Sequence, residues 1–242
     1  ATLYFNRLGQ RVTADLSVPT AEGALYEVDT RLRPSGDQGP LAVSFDAFDL
    51  YQREQAWTWE HMALTRARCL YGSAEARTKL EALLQAVLRM PRDADKLRAD
   101  VLEMRATMAR HKPAKGMLDA KLMRGGLVDL EFIVHYLQLH HGAGLTPRLG
   151  EAVRQLVAAG LLAAEVIAAH DTLTRLLVAR RLLAHEDALP PLAAQRALAK
   201  ACACDDWQCL IDAFAHARTV VAQAWQATFG EALETAVMEI GA

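Results

Sequence analysis

Four charged residues alternate along one short stretch: Glu27, Asp29, Arg31 and Arg33, within Leu25-Tyr26-Glu27-Val28-Asp29-Thr30-Arg31-Leu32-Arg33. In an extended strand, side chains alternate between two faces. The four charges then project together, and Tyr26, Val28, Thr30 and Leu32 face the other way. Two carboxylates beside two guanidiniums suit a metal-bound triphosphate, because carboxylate oxygens hold Mg²⁺ and Arg forks neutralise phosphate. The same pattern also describes a solvated sheet face laced with ion pairs.

A second constellation lies at Arg124-Gly125-Gly126-Leu127-Val128-Asp129-Leu130-Glu131-Phe132. Paired glycines let another backbone approach closely, and free N–H groups at a helix start can hold an anion. Asp129 falls in the first turn, where a carboxylate favours the helix dipole, and Glu131 and His135 stand one turn apart. One reading is a tight helix entry with a buried polar brace; the other is an interface or effector element linking two domains.

Other candidates carry less. Cys202, Cys204 and Cys209 cluster, with only His216 at a plausible distance, and read as small apolar thiols on packed helices. His135, His140, His141 and His185 lack the carboxylate or Cys company of a metal site. Trp57 and Trp59 read as packing anchors. The basic connector 110–124, with Arg110, Lys112, Lys115, Lys121 and Arg124 against Asp119, could attract an acidic partner but reads first as a solvated loop.

The elements that must position these residues are mostly helices. With 52% apolar and 6% aromatic residues and long Ala- and Leu-rich stretches, the 242-residue chain can bury a core without disulfides, and helix is favoured over sheet. A net charge of -2 gives no basic field for nucleic acid, and no stretch approaches a membrane span. The reading is soluble and cytoplasmic. The chain begins at Ala1 in an amphipathic pattern (Leu3, Phe5, Leu8, Val12, Leu16), which suggests an excised fragment.

A helix is predicted over 2–17, broken by Pro19 and Gly23, then a strand over 25–32 and a turn-rich loop over 33–40. Ser44 caps a short helix holding Phe45, Phe48 and Tyr51; another helix spans Trp57 to Leu64, and Thr65–Tyr71 returns as a strand. From Ser73 onward only helices are expected, near 74–90, 93–111, 125–141, 149–159, 163–186, 192–202, 206–229 and 231–239. The fold class is mainly α: a partial α+β segment over 1–72, then an all-α helical bundle over 73–242.

The run Leu25 through Gly36, followed by Trp57-Thr58-Trp59-Glu60-His61 and Arg66-Ala67-Arg68, resembles the adenylylating domain of glutamine synthetase adenylyltransferases, of the polymerase-beta-type nucleotidyltransferases. Lys121 through Phe132 resembles the signature of the helical domain shared by that family and the PII uridylyltransferases. The resemblance implies transfer of AMP from ATP to a tyrosine of glutamine synthetase, using Mg²⁺. It matches Asp29 to the third carboxylate of the family's site, a Mg²⁺ ligand and general base, with Arg31 and Arg33 as triphosphate contacts. No Gly-Ser-Asp-x-Asp run carrying the other two carboxylates occurs here, so the fragment alone is expected to be inactive. Two further readings stay open: a helical regulatory module that binds the PII signalling protein or glutamine synthetase, and the deadenylylating half of the same enzyme.

Overall fold

The computed structural model describes residues 2–24, 26–184 and 189–233. Its elements are α1 (Thr2–Ser17), a hairpin of β1 (Pro19–Thr20) and β2 (Gly23–Ala24), a 3-10 turn (Gly36–Gln38), and helices α2 (Phe45–Glu54), α3 (Thr58–Leu64), α4 (Ala74–Leu88), α5 (Ala94–His111), α6 (Leu127–His141), α7 (Leu149–Ala158), α8 (Glu165–Leu183), α9 (Leu192–Ala201) and α10 (Trp207–Phe229). The fold is mainly α, as the composition predicts. The two-residue strands pair antiparallel, Pro19 with Ala24 and Thr20 with Gly23, and no other strand occurs among the described residues.

Two predicted strands are not formed. Tyr26 to Leu32 makes no ladder, and Leu25 lies outside the described residues. Local side chains take the backbone's hydrogen bonds instead: the Arg31 N–H donates to Asp29 Oδ1 at 2.9 Å, and Arg33 Nη1 to the Thr30 carbonyl at 2.6 Å. After α3 the chain turns rather than extending, with Thr65, Arg66 and Ala67 N–H groups donating to carbonyls three residues back. The Thr65 hydroxyl adds a 2.7 Å bond to the Met62 carbonyl. The predicted helix over 231–239 is not formed at 231–233, and its remainder lies outside the described residues, as does the end of the stretch predicted over 163–186.

The chain divides into two compact units, 1–90 and 91–242. In the first, α4 packs on α2 and α3, and Met62, Leu84, Val87 and Leu88 are buried. Helix α1 buries no residue; Asn6 Oδ1 ties it to the 41–42 loop by accepting from the Leu41 and Ala42 N–H groups at 2.5 and 3.1 Å. α3 starts where the Glu60 carboxylate accepts from the Trp57 N–H at 2.8 Å. That helix turns Glu60, His61 and Met62 inward, so Trp57 (70% exposed) and Trp59 (39%) are not the packing anchors expected from their size.

In the second unit, α6 is buried from Leu127 through Leu139 on every side but that of Glu131. It packs against α5, α7, α8 and α10. A helix buried on nearly every side belongs in a core, and α6 runs between α5, α7, α8 and α10. Its ends are set by Gly126 at the N-cap and by Gly142, which adopts the left-handed conformation that stops the helix.

Side-chain caps start several helices: Ser44, Ser73, Asp93 and Asp206 each accept from the N–H three residues on. Asp206→Ala should lower unfolding free energy by about 1 kcal/mol, since an Asp cap satisfies an otherwise unpaired amide. Urea denaturation checks this, and an unchanged midpoint would show that α10 does not need its cap.

Candidate functional site

Asp29 and Arg31 meet as a fork. Arg31 Nε lies 2.9 and 3.1 Å from the two Asp29 oxygens and Nη2 lies 2.6 Å from Oδ2, with both side chains more than half exposed. Hydrogen bonding to the Arg31 side chain, and then to its backbone N–H, holds the Asp29 carboxyl well below the usual carboxylate range. The same bond raises the Arg31 guanidinium. Asp29 is therefore a solvent-facing carboxylate, ionised at neutral pH.

Arg33 does not join them. Its guanidinium donates to the Thr30 carbonyl and, at 3.3 Å, to the Gly39 carbonyl, and it sits 3.6 Å from Asp37. It braces the loop that follows, where Ser35 takes a positive φ of 61°. Glu27 is exposed. The expected shared face of four charges thus reduces to one carboxylate and one guanidinium.

Mg²⁺ wants a near-octahedral oxygen shell and is commonly held by one or two carboxylates plus substrate phosphates. Among the described residues no group of three His, Cys, Asp or Glu side chains is placed to hold a metal. Asp29, already clasped by Arg31, does not make a magnesium site with the residues around it.

A cavity of about 300 Å³ lies beside Arg33 in the same unit, walled by Leu32, Phe48, Gln52, Glu60, Leu64 and Arg66. Gln52 and Glu60 are buried. Glu60 is occupied, accepting from the Tyr51 hydroxyl at 3.0 Å as well as from Trp57, and His61 Nε2 meets the Gln52 carbonyl at 2.8 Å. Neither Gln52 nor Glu60 was singled out from sequence as functional. Glu60 could have been found, standing three residues after the start of a short helix in the position of a capping carboxylate.

The Gly125-Gly126 motif is built around a buried ion pair. Arg105 Nε of α5 donates to Asp129 Oδ1 of α6 at 2.6 Å, with the side chains 2% and 0% exposed. Asp129 Oδ2 accepts from the Gly125 N–H at 2.7 Å, so the carboxylate caps its own helix. Gly125 has a φ of +77°, and a Cβ there would overlap the carbonyl oxygen of Arg218 in α10. A Cβ on Gly126 would fall 2.7 Å from the carbonyls of Ala120 and Met123. Arg218, 3% exposed, donates from Nε to the Arg124 carbonyl at 2.8 Å. Gly125 thus admits the α10 backbone and Gly126 the carbonyls of the 120–123 loop, and the motif is a brace.

His135, also buried, pairs through Nδ1 with Gln138 Oε1 at 3.1 Å; His140 and His141 are exposed at the end of α6, and His185 lies outside the described residues. In the connector, Asp119 accepts from the N–H groups of Lys115, Lys121 and Leu122, so its one acid organises the loop. Burial, and then hydrogen bonding to Cys209, pushes the Cys204 thiol up to about 11, which leaves it protonated at neutral pH.

Comparison with known proteins agrees with both motifs. The GlnD PII-uridylyltransferase family model matches residues 76–229, more than half of the chain. The chain belongs to that family. The glutamate-ammonia ligase adenylyltransferase family model matches residues 1–83, which include Asp29 and the cavity. Bifunctional glutamine synthetase adenylyltransferase/adenylyl-removing enzymes are similar as well. The one from Agrobacterium fabrum is 53% identical over 136 residues, covering 56% of this chain and 14% of that protein. That from Caulobacter vibrioides is 50% identical over 165 residues (66% and 17%). That from Bordetella bronchiseptica is 44% identical over 222 residues (87% and 23%). The chain spans less than a quarter of the length of these relatives.

Two outcomes follow. Gly125→Ala should cost about 2–3 kcal/mol or more, because a left-handed backbone and a backbone clash add. Equilibrium unfolding reads it, and a loss under 0.5 kcal/mol, roughly the size of an ordinary surface change, would contradict the close approach. For Asp29 the folded carboxyl is more acidic than the unfolded one. Its small contribution to stability is present above an ordinary aspartate pKa of about 3.9 and fades as pH falls through the lower folded value. A carboxyl-carbon NMR titration should place its midpoint below that of a free aspartate; an ordinary midpoint would mean that Arg31 does not hold it.

Proposed function

We propose that this chain is part of the carboxy-terminal, adenylylating half of a bifunctional glutamine synthetase adenylyltransferase, a cytoplasmic regulator of nitrogen assimilation. In this reading residues 1–72 belong to the nucleotidyltransferase domain and residues 73–242 to the helical domain, with α4, at its start, packed in the first compact unit. The observation that carries it is Asp29: an exposed, ionised carboxylate inside the segment that the adenylyltransferase family model matches.

The reaction joins the phenolic oxygen of a glutamine synthetase tyrosine to the α-phosphorus of ATP. The bond between the α-phosphorus and the bridging oxygen breaks, pyrophosphate leaves, and the phenolic proton passes to a base. Mg²⁺ neutralises the triphosphate charge when bound. Asp29 would supply one carboxylate toward it; the other ligands are not among the described residues. In this reading Asp29 brings negative charge toward the metal-bound triphosphate and is the candidate base for the phenolic proton. Arg31 keeps Asp29 ionised and stands ready to turn its fork to a phosphate, whereas Arg33 serves the loop.

Because one carboxylate does not assemble the site, residues 1–242 alone should transfer no measurable AMP. A second reading has one observation in its favour: the match to the GlnD PII-uridylyltransferase model lies over the helices. It makes residues 76–229 a regulatory module that binds the PII protein or glutamine synthetase. The relatives' names carry both activities, so the deadenylylating half is distinguished by assay.

The deciding experiment is Asp29→Asn in a chain extended to the length of the relatives. AMP incorporation into glutamine synthetase should fall about 100-fold or more, because metal stabilisation of a transition state is worth several kcal/mol. The melting temperature should hardly move, since the exposed pair adds little stability. Near-normal transfer by a stable variant would remove Asp29 from the metal site.

A further inference from the structure

We propose that the apolar face of α1 and the unpaired segment 26–32 form one docking surface, which receives a β-sheet supplied by the chain preceding residue 1 in the longer protein. A strand of that sheet pairs with residues 26–32, and α1 lies across the sheet's face. This rests on the reading above only in taking residues 1–242 as the later part of a longer chain.

Phe5, Leu8, Val12 and Leu16 follow the three- and four-residue spacing that puts side chains on one face of a helix. On α1 all four stay between 44% and 53% exposed, and the helix buries no residue. Asn6 and Gly9, beside that face, hold it to the 41–42 loop. Asn6 takes the Leu41 and Ala42 N–H groups, and a Cβ on Gly9 would meet the Leu41 side chain at 2.9 Å. The helix is therefore anchored along one edge while its apolar stripe stays uncovered. A helix of 16 residues gains little stability from propensity and most of it from packing such a stripe. Contiguous exposed apolar patches mark contact sites.

The segment after the hairpin lacks partners of another kind. Among the described residues no main-chain hydrogen bond holds the N–H groups of 26–32, and Tyr26 and Leu32 are largely exposed. In a strand, N–H groups point alternately to the two edges. Arg31 gives its N–H to Asp29, on the edge shared by residues 27, 29 and 31. The edge of residues 26, 28, 30 and 32 keeps its donors open, and a free edge pairs with a strand from elsewhere. Pairing there leaves the Asp29–Arg31 fork undisturbed.

Chain length names the occupant. This chain spans less than a quarter of the length of its relatives, so the longer protein has ample chain to build a sheet. A sheet supplies both things the surface lacks: main-chain partners for 26–32 and an apolar face for the stripe. A second copy of α1 would cover the stripe and leave the donors of 26–32 unpaired. A lipid surface would do the same. The charges of α1 are also only Arg7 and Arg11 against Asp15, without the basic run of a helix that lies on membranes.

Hydrogen exchange read by mass spectrometry, on residues 1–242 and on a chain extended to the relatives' length, tests this. Exchange across 3–16 and 26–32 should be about 100-fold or more slower in the longer protein. Equal exchange in the two would overturn the docking. Leu8→Asp should return both segments of the longer protein to fast exchange. In residues 1–242 the same change should hardly move the melting temperature, because Leu8 is already exposed there. Should the variant not fold in the longer protein, the wild-type comparison decides alone. Protection of 3–16 that rises with the concentration of residues 1–242 would mean a second copy. Protection that appears only with phosphatidylserine and phosphatidylcholine vesicles would mean a lipid surface. Either result overturns the proposal. Slow exchange in a longer protein that transfers no AMP would support the docking and overturn the transferase reading. Fast exchange in one that does transfer AMP would overturn the docking and leave that reading intact.

Discussion

The buried pair of Arg105 and Asp129 is the contact on which the helical unit depends. Two charges taken out of water are tolerated only when each is paired and hydrogen-bonded. Asp129 meets that condition by taking Arg105 from α5 and the Gly125 N–H from its own helix entry. The requirement fixes where α5 crosses α6 and where α6 begins. It also explains why glycine stands at 125: the loop that delivers the amide passes against the α10 backbone at Arg218, where no Cβ fits. Arg218 then returns a hydrogen bond to the Arg124 carbonyl, so α5, α6 and α10 are registered through one polar node inside an otherwise apolar core.

Asp29 and Arg31 use the same two functional groups to a different end. Their fork is as short as the buried one, yet both side chains face water. Solvent makes such a pair weak as a brace and easily exchanged, as the proposed encounter with a metal-bound phosphate would require. The two segments that resemble one enzyme family thus divide the work by burial. The apolar length of α6 makes the pair around Asp129 permanent, and the polar, loop-rich surroundings of Asp29 leave its pair open.

Much of the helical architecture is legible in the sequence because its signals are local. Ser44, Ser73 and Asp93 stand at N-cap positions and accept the predicted bonds, and Gly142 and Gly230 stop their helices. Residues 26–32 were misread because alternation predicts a strand only where a neighbour pairs with it, and here the Asp29 carboxylate takes the Arg31 N–H and the Arg33 guanidinium takes the Thr30 carbonyl. Arg105 was missed although its signal was present: it continues the stripe of Leu97 and Val101 at four-residue spacing, and a guanidinium on a core stripe demands a buried carboxylate. Arg218 sits likewise between Phe214 and Val221 on the buried face of α10. Gln52 had no such signal, since a lone polar residue on a short amphipathic helix gives no sign that it is buried.

The claim that burial makes Asp129 a brace is tested most directly by a double-mutant cycle on unfolding free energy, with Arg105→Met, Asp129→Leu and both together. Arg105→Met leaves buried Asp129 only Arg124, 3.7 Å away, and the Gly125 N–H. Asp129→Leu leaves Arg105 buried without a carboxylate, and each change should cost about 3–5 kcal/mol. The double variant should cost well below their sum, because neither charge then remains. Losses below 1 kcal/mol for each single change, adding in the double variant, would contradict the account.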